Sequence, residues 1–98
     1  LESGEPFPYV LGHWEFFGME FDVTPDVLIP RPETELLVEA TLSRITNHQS
    51  PITIIDLCTG SGCVAVTLAK RLEAVEVHAT DVSAEALAVA EENAKRQL

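Results

Sequence analysis

Ile52-Thr53-Ile54-Ile55-Asp56-Leu57-Cys58-Thr59-Gly60-Ser61-Gly62 runs directly into Cys63-Val64-Ala65-Val66-Thr67-Leu68-Ala69-Lys70-Arg71-Leu72. The first six residues are a short, β-branched apolar run of the kind that forms a buried parallel strand. From Gly62 to about Leu72, the apolar residues Val64, Ala65, Val66, Leu68, Ala69 and Leu72 fit a largely covered helix, and Lys70 and Arg71 suit its C-terminal end. A second strand, Val75 to Thr80, leads to Asp81, and Ser83 is a natural N-cap for a further helix with Leu87, Ala90, Ala94 and Leu98 as its apolar stripe. Strand, helix, strand, helix in this order requires a parallel sheet with right-handed crossovers, which makes the fold class α/β.

The turn between the first strand and its helix carries the chemistry. Glycines there permit tight backbone conformations and let a ligand approach the main chain, although many such turns are mere connectors. Asp81 strengthens the ligand reading. It is an acid at the end of the next strand, about 20 residues past the glycines, where a carboxylate can accept hydrogen bonds from both hydroxyls of a ribose. A dinucleotide loop wants three glycines as G-x-G-x-x-G, whereas Cys58, Gly60, Gly62 and Cys63-Val64-Ala65 stand here, so NAD is disfavoured. Asp56 would sit awkwardly beside a pyrophosphate but suits a cofactor carrying an ammonium and a sulfonium group, as S-adenosylmethionine does. Its alternative role is a solvated strand end or capping partner.

Upstream, Thr24-Pro25-Asp26 and Ile29-Pro30-Arg31-Pro32 interrupt regular structure and divide the chain into residues 1–32 and 33–98. Trp14 to Val23 reads as a β-hairpin closed by a Gly18-Met19 type II′ loop, a register that pairs Phe16 with Phe21 and Trp14 with Val23 and puts all four on one face. That face either packs on the body of the domain or covers a ligand. After Pro32, acidic Glu33 and Glu35 open a helix with Leu37, Val38, Thr41, Leu42 and Ile45 on one side, ending near Thr46-Asn47.

Composition sets the boundaries. A chain of 98 residues with 46% apolar residues folds as one small domain with a thin stability margin. Six basic against sixteen acidic residues give a net charge of −10, which disfavours a phosphate backbone as partner. No apolar run reaches the roughly 18 to 20 residues needed to cross a bilayer, and the first residues lack a signal-peptide layout, so a cytoplasmic protein is expected. Cys58 and Cys63, with scattered histidines, suggest buried reduced thiols rather than a disulfide or a metal site.

Asp56-Leu57-Cys58-Thr59-Gly60-Ser61-Gly62 resembles the first motif of class I, Rossmann-like methyltransferases, and Asp81 resembles their second-strand acid. The string Val27-Leu28-Ile29-Pro30-Arg31-Pro32-Glu33-Thr34-Glu35, behind a Gly12…Phe17-Gly18…Phe21 hairpin, is similar to the linker and domain entrance of the HemK/PrmC protein-glutamine methyltransferases. The resemblance spans about Tyr9 to Leu98. It implies the N-terminal part of an S-adenosylmethionine-binding domain preceded by a linker hairpin. Cys58, Thr59, Gly60, Ser61 and Gly62 would wrap the methionine part of the cofactor and Asp81 would hold its ribose. Arg31, Glu33 and Thr34 would line the mouth. Cys58 stands where the family usually has glycine. The family's Asn-Pro-Pro-Tyr motif, which orients the target amide, occurs nowhere in these 98 residues, so no catalytic residue is assigned and the chain is expected to be a fragment, silent on its own and prone to self-association. The implied reaction is methyl transfer to a glutamine of a peptide chain release factor. The alternatives are an adenine-amino methyltransferase acting on DNA or RNA, and a non-catalytic Rossmann-like binding module.

Overall fold

The computed structural model describes residues 12–45 and 51–98. In chain order the elements are β1 (His13–Phe16), β2 (Met19–Asp22), α1 (Pro32–Ile45), β3 (Ile52–Asp56), α2 (Cys63–Arg71), β4 (Val75–Ala79) and α3 (Ala84–Gln97). β1 and β2 form an antiparallel hairpin, and β3 and β4 a parallel pair in the register Ile52↔Val75 to Asp56↔Ala79. The α/β architecture expected from the strand, helix, strand, helix pattern is therefore present, with each element within about a residue of its expected bounds.

The hairpin register differs from the expected one. Phe16 pairs with Met19 and Trp14 with Phe21, so the two-residue loop is Phe17-Gly18, with φ of 51° and 77°. Both central residues at positive φ define a type I′ turn. Phenylalanine rarely accepts that conformation, and tertiary contacts hold it there. Its N–H donates to Glu35 Oε2 at 2.8 Å, and the Arg71 guanidinium lies 4.7 Å from the centre of its ring. The slip moves the pairing by two residues, an even number, and so leaves the faces unchanged. Phe16, Phe21 and Val23 are all buried.

Those residues make the core. Phe16 and Phe21 pack with Val38 of α1 and with Cys63, Val66 and Leu68 of α2, while Val23 and Val27 pack with Ala86 of α3. Each buried side chain of this size contributes roughly 1.5 to 3 kcal/mol.

Three expectations about faces need correction. On α1 only Val38 is fully buried, and Leu37 is exposed. Glu35 is drawn to the Phe17 N–H and Val38 to the core, and Leu37 lies about 100° round the helix from Val38. The expected end of this helix at Thr46-Asn47 lies outside the described residues. On α3 the buried residues are Ala86, Ala90 and Asn93. Leu87, Ala94 and Leu98 instead border an apolar groove of about 360 Å³ with Ala65, Ala69 and Val77. The strand β3 is covered on one face only. Ile52 and Ile54 face the helices and are half-buried, whereas Ile55 is 63% exposed.

Local chemistry explains the helix starts. Pro32 occupies the first turn of α1, where its missing N–H costs nothing, and Thr34 N–H donates to the Arg31 carbonyl at 2.9 Å. Ser83 caps α3 as expected, its hydroxyl accepting from Ala86 N–H at 3.1 Å. At the start of α2 stands Gly62, with φ 83° and no side-chain cap. A Cβ there would lie 3.0 Å from Ala90 Cβ. Glycine is required twice over, for the backbone angle and for the close approach of α3.

Candidate cofactor-binding site

β3 and β4 end side by side, and their pairing continues into the loops. Thr80 N–H donates to the Asp56 carbonyl at 2.9 Å, and Thr59 N–H donates to the Thr80 carbonyl at 2.7 Å. This brings the glycine loop and Asp81 to one end of the sheet, the position where open α/β sheets bind ligands. A cleft of about 430 Å³ opens there. Of the residues singled out in the sequence, Arg31, Thr34, Asp56, Cys58, Thr59, Gly60, Ser61 and Asp81 line it.

The loop is held from within. Thr59 Oγ1 donates to Asp56 Oδ2 at 2.8 Å, and Gly62 N–H donates to the Thr59 carbonyl at 2.8 Å. Asp81 accepts from Ser83 N–H (2.9 Å) and Gly60 N–H (3.0 Å), one bond to each carboxylate oxygen. These bonds, Ser83 first, hold its carboxyl below the ordinary aspartate value of 3.8, so it is ionised at neutral pH. A carboxylate has about four acceptor positions, more than these bonds use. Asp81 thus joins the loop to the strand end and lines the cleft.

Ser61 is 2% exposed, and its Oγ is buried and finds no oxygen or nitrogen partner among the described residues. Its neighbour Cys63 is buried, and burial pushes that thiol from 9.0 up to about 11, the Ser61 hydroxyl offsetting part of the rise. Cys58 departs from the expected buried thiol. It is exposed and takes φ 59°, the left-handed region that glycine occupies without strain.

Two candidates stand apart from the cleft lining. Gly62 lies behind the loop, against Ala90. Glu33 is turned to solvent in a 3.4 Å pair with Arg31, and its carboxyl is lowered first by its own backbone N–H. Such an exposed pair contributes little. The segment Asp26 to Pro30 forms the opposite wall, a placement the proline pattern alone does not reveal. Asn93 was also missed. It does not line the cleft but donates to the Ser61 carbonyl at 2.8 Å. The available signal was an asparagine, a poor mid-helix residue, among the alanines of α3.

Residues 32–98 match the family model of the methyltransferase small domain. The chain belongs to this methyltransferase family. Among its curated relatives, a protein of Bordetella pertussis is 54% identical over 94 residues, covering 96% of this chain and 34% of the relative. A protein of Burkholderia pseudomallei is 52% identical over 96 residues, covering 98% and 33%. A third, from Koribacter versatilis, is 50% identical over 93 residues, covering 95% and 33%. All three are named release factor glutamine methyltransferase. The chain spans about a third of the length of these relatives. The resemblance to HemK/PrmC proteins agrees with their names, and the match accounts for α1 to α3 as the methyltransferase portion. No helix among the described residues is long and apolar enough to cross a membrane.

Proposed function

We propose that this methyltransferase chain holds S-adenosylmethionine in the cleft at the ends of β3 and β4, and that the protein it represents methylates the side-chain amide nitrogen of a glutamine in peptide chain release factors, in the cytoplasm. One observation carries the cofactor assignment. An ionised Asp81, tied to the loop through Gly60 N–H, shares one cleft with Asp56 and the backbone of Cys58 to Ser61. The donor set fits the cofactor. Asp81 offers its remaining acceptor positions to a ribose, Asp56 offers negative charge to an ammonium and a sulfonium, and the buried Ser61 hydroxyl lines the same cleft with no oxygen or nitrogen partner among the described residues. Arg31 and Thr34 line the same cleft, and Glu33 reaches it only through its pair with Arg31.

When bound, the cofactor would supply an electrophilic methyl group, whose carbon an amide nitrogen would attack in line as the carbon–sulfur bond breaks, the thioether leaving and the nitrogen giving up a proton. The part of these residues is to bind and orient. The release factor as acceptor rests on the names of the relatives, each about 50% identical over nearly all of this chain. Those names, with the net charge of −10, favour it over an adenine amino group in nucleic acid.

Calorimetric titration tests the cofactor site. Asp81→Ala should weaken S-adenosylmethionine binding roughly tenfold to a hundredfold, the usual cost of removing a charged acceptor from two hydroxyls. Equal affinities would remove Asp81 from the site. The acceptor is tested separately with a chain extended to the relatives' length. Labelled methyl groups should enter a release-factor glutamine and not adenine-containing DNA.

A further inference from the structure

We infer that Asn93 is a positioning residue for the cofactor loop and makes the shape of that loop depend on the docked hairpin; this rests on the reading of Cys58 to Gly62 as the loop that holds the cofactor. Asn93 lies in the middle of α3 and is completely buried. Its Nδ2 donates to the Ser61 carbonyl at 2.8 Å and to the Asp22 carbonyl at 3.0 Å, and its Oδ1 accepts from Asp22 N–H at 2.7 Å. Both donors and one acceptor position are used. The amide has one possible orientation, because the flipped group would set its NH₂ against the Asp22 N–H and its oxygen against two carbonyls.

Burying an amide is costly unless it is hydrogen-bonded, and the same face of α3 is otherwise built from Ala86 and Ala90. Packing alone is served by alanine there. What asparagine adds is a three-way tie. On one side, its amide meets the edge of β2 with the N–H and C=O pair that a neighbouring strand would present. Arg96, paired with the Asp22 carboxylate, and Gln97, donating to the Glu20 carbonyl, extend that clamp along α3. On the other side, it fixes the peptide between Ser61 and Gly62. The carbonyl of that peptide is held by Asn93 and its N–H by the Thr59 carbonyl. That plane cannot rotate without losing both bonds, and Asp81 holds the same loop from the cleft side through Gly60 N–H. Asn93 acts on a ligand only through the loop.

The test compares wild type, Asn93→Ala, Asn93→Asp and the core control Val38→Ala by amide hydrogen exchange and by S-adenosylmethionine titration. Asn93→Asp keeps the acceptor for Asp22 N–H and loses both donors. It should leave the Asp22 amide protected, speed exchange at Gly62 at least tenfold and weaken cofactor binding at least tenfold. Asn93→Ala should release both amides. Val38→Ala lowers stability without touching the loop and should leave Gly62 exchange and affinity of the folded protein at wild-type values. If Asn93→Ala or Asn93→Asp does not fold, Asn93→Ser, with one small hydroxyl, supplies the comparison, and faster Gly62 exchange is again expected. Gly62 exchange that stays at the wild-type rate, or that rises only as far as in Val38→Ala, overturns the proposal. Failure of the wild-type chain to bind S-adenosylmethionine would instead refute the cofactor assignment, and the exchange measurements would still decide whether Asn93 holds the loop.

Discussion

The two small sheets among the described residues are built to opposite designs. The hairpin β1–β2 carries no residue of the candidate site, yet Phe16 and Phe21 are its most deeply buried side chains, and Glu35, Arg71, Asn93, Arg96 and Gln97 pin it from three helices. The parallel pair β3–β4 delivers Asp56, the glycine loop and Asp81, yet one of its faces is open and Ile55 stands largely in solvent. The elements that carry the site therefore lean on one that does not. In a small domain, where apolar burial is scarce, the stability of the site is supplied from a distance.

The sharpest way to break this contrast is a matched pair of truncations. Phe21→Ala should cost about 3 to 5 kcal/mol in urea unfolding, as removal of a fully buried ring does. Ile55→Ala, on the open face, should change stability by no more than about 0.5 kcal/mol. Similar losses at the two positions would mean that the hairpin is not the anchor.

The two cysteines extend the contrast to titration. The Cys63 thiol, raised by burial from 9.0 to about 11, holds its proton more tightly folded than unfolded. Its contribution is therefore complete below pH 9 and is lost as pH rises through about 11, up to roughly 2 to 3 kcal/mol at about 1.4 kcal/mol per unit. The stability difference between wild type and Cys63→Ala should shrink or reverse across that window, which removes the shared contribution of the lysines. A constant difference would contradict the buried thiol. Alkylation at neutral pH should mark the exposed Cys58 and spare Cys63.

Cys58→Gly is the smallest change expected. Glycine relieves a left-handed backbone position worth about 1 kcal/mol but gives back roughly 0.4 to 1 kcal/mol in unfolded-state freedom. Net stability should move by less than about 1 kcal/mol, and cofactor affinity should hold or rise. A tenfold loss of affinity with the fold intact would show that the thiol makes a useful contact.

Period and punctuation made the elements legible. β-branched Ile52 to Ile55, the glycines after Asp56, and Ser83 before an alanine-rich stretch each announced a strand, a turn and a capped helix from local chemistry alone. What remained hidden was set by distant contacts. Phe17 sits in a type I′ turn because Glu35 and Arg71 hold it there, and no propensity places phenylalanine at positive φ. Leu37 and Leu98 read as core by spacing, but α1 and α3 are rotated by polar ties, Glu35 to the hairpin and Asn93 to Ser61. The cleft followed the same rule. The position of Asp81 was legible because it follows from strand order, whereas Asn93 makes its contacts 32 and 71 residues away in the chain.

Amide chemical shifts followed while S-adenosylmethionine is added test the central claim most directly, because the cleft of about 430 Å³ at the glycine loop has a rival of similar size in the apolar groove of about 360 Å³ between α2 and α3. Saturable shifts concentrated at Cys58 to Gly62 and at Asp81 are predicted. Shifts confined to Ala65, Leu87 and Leu98, or none at all, would contradict the assignment.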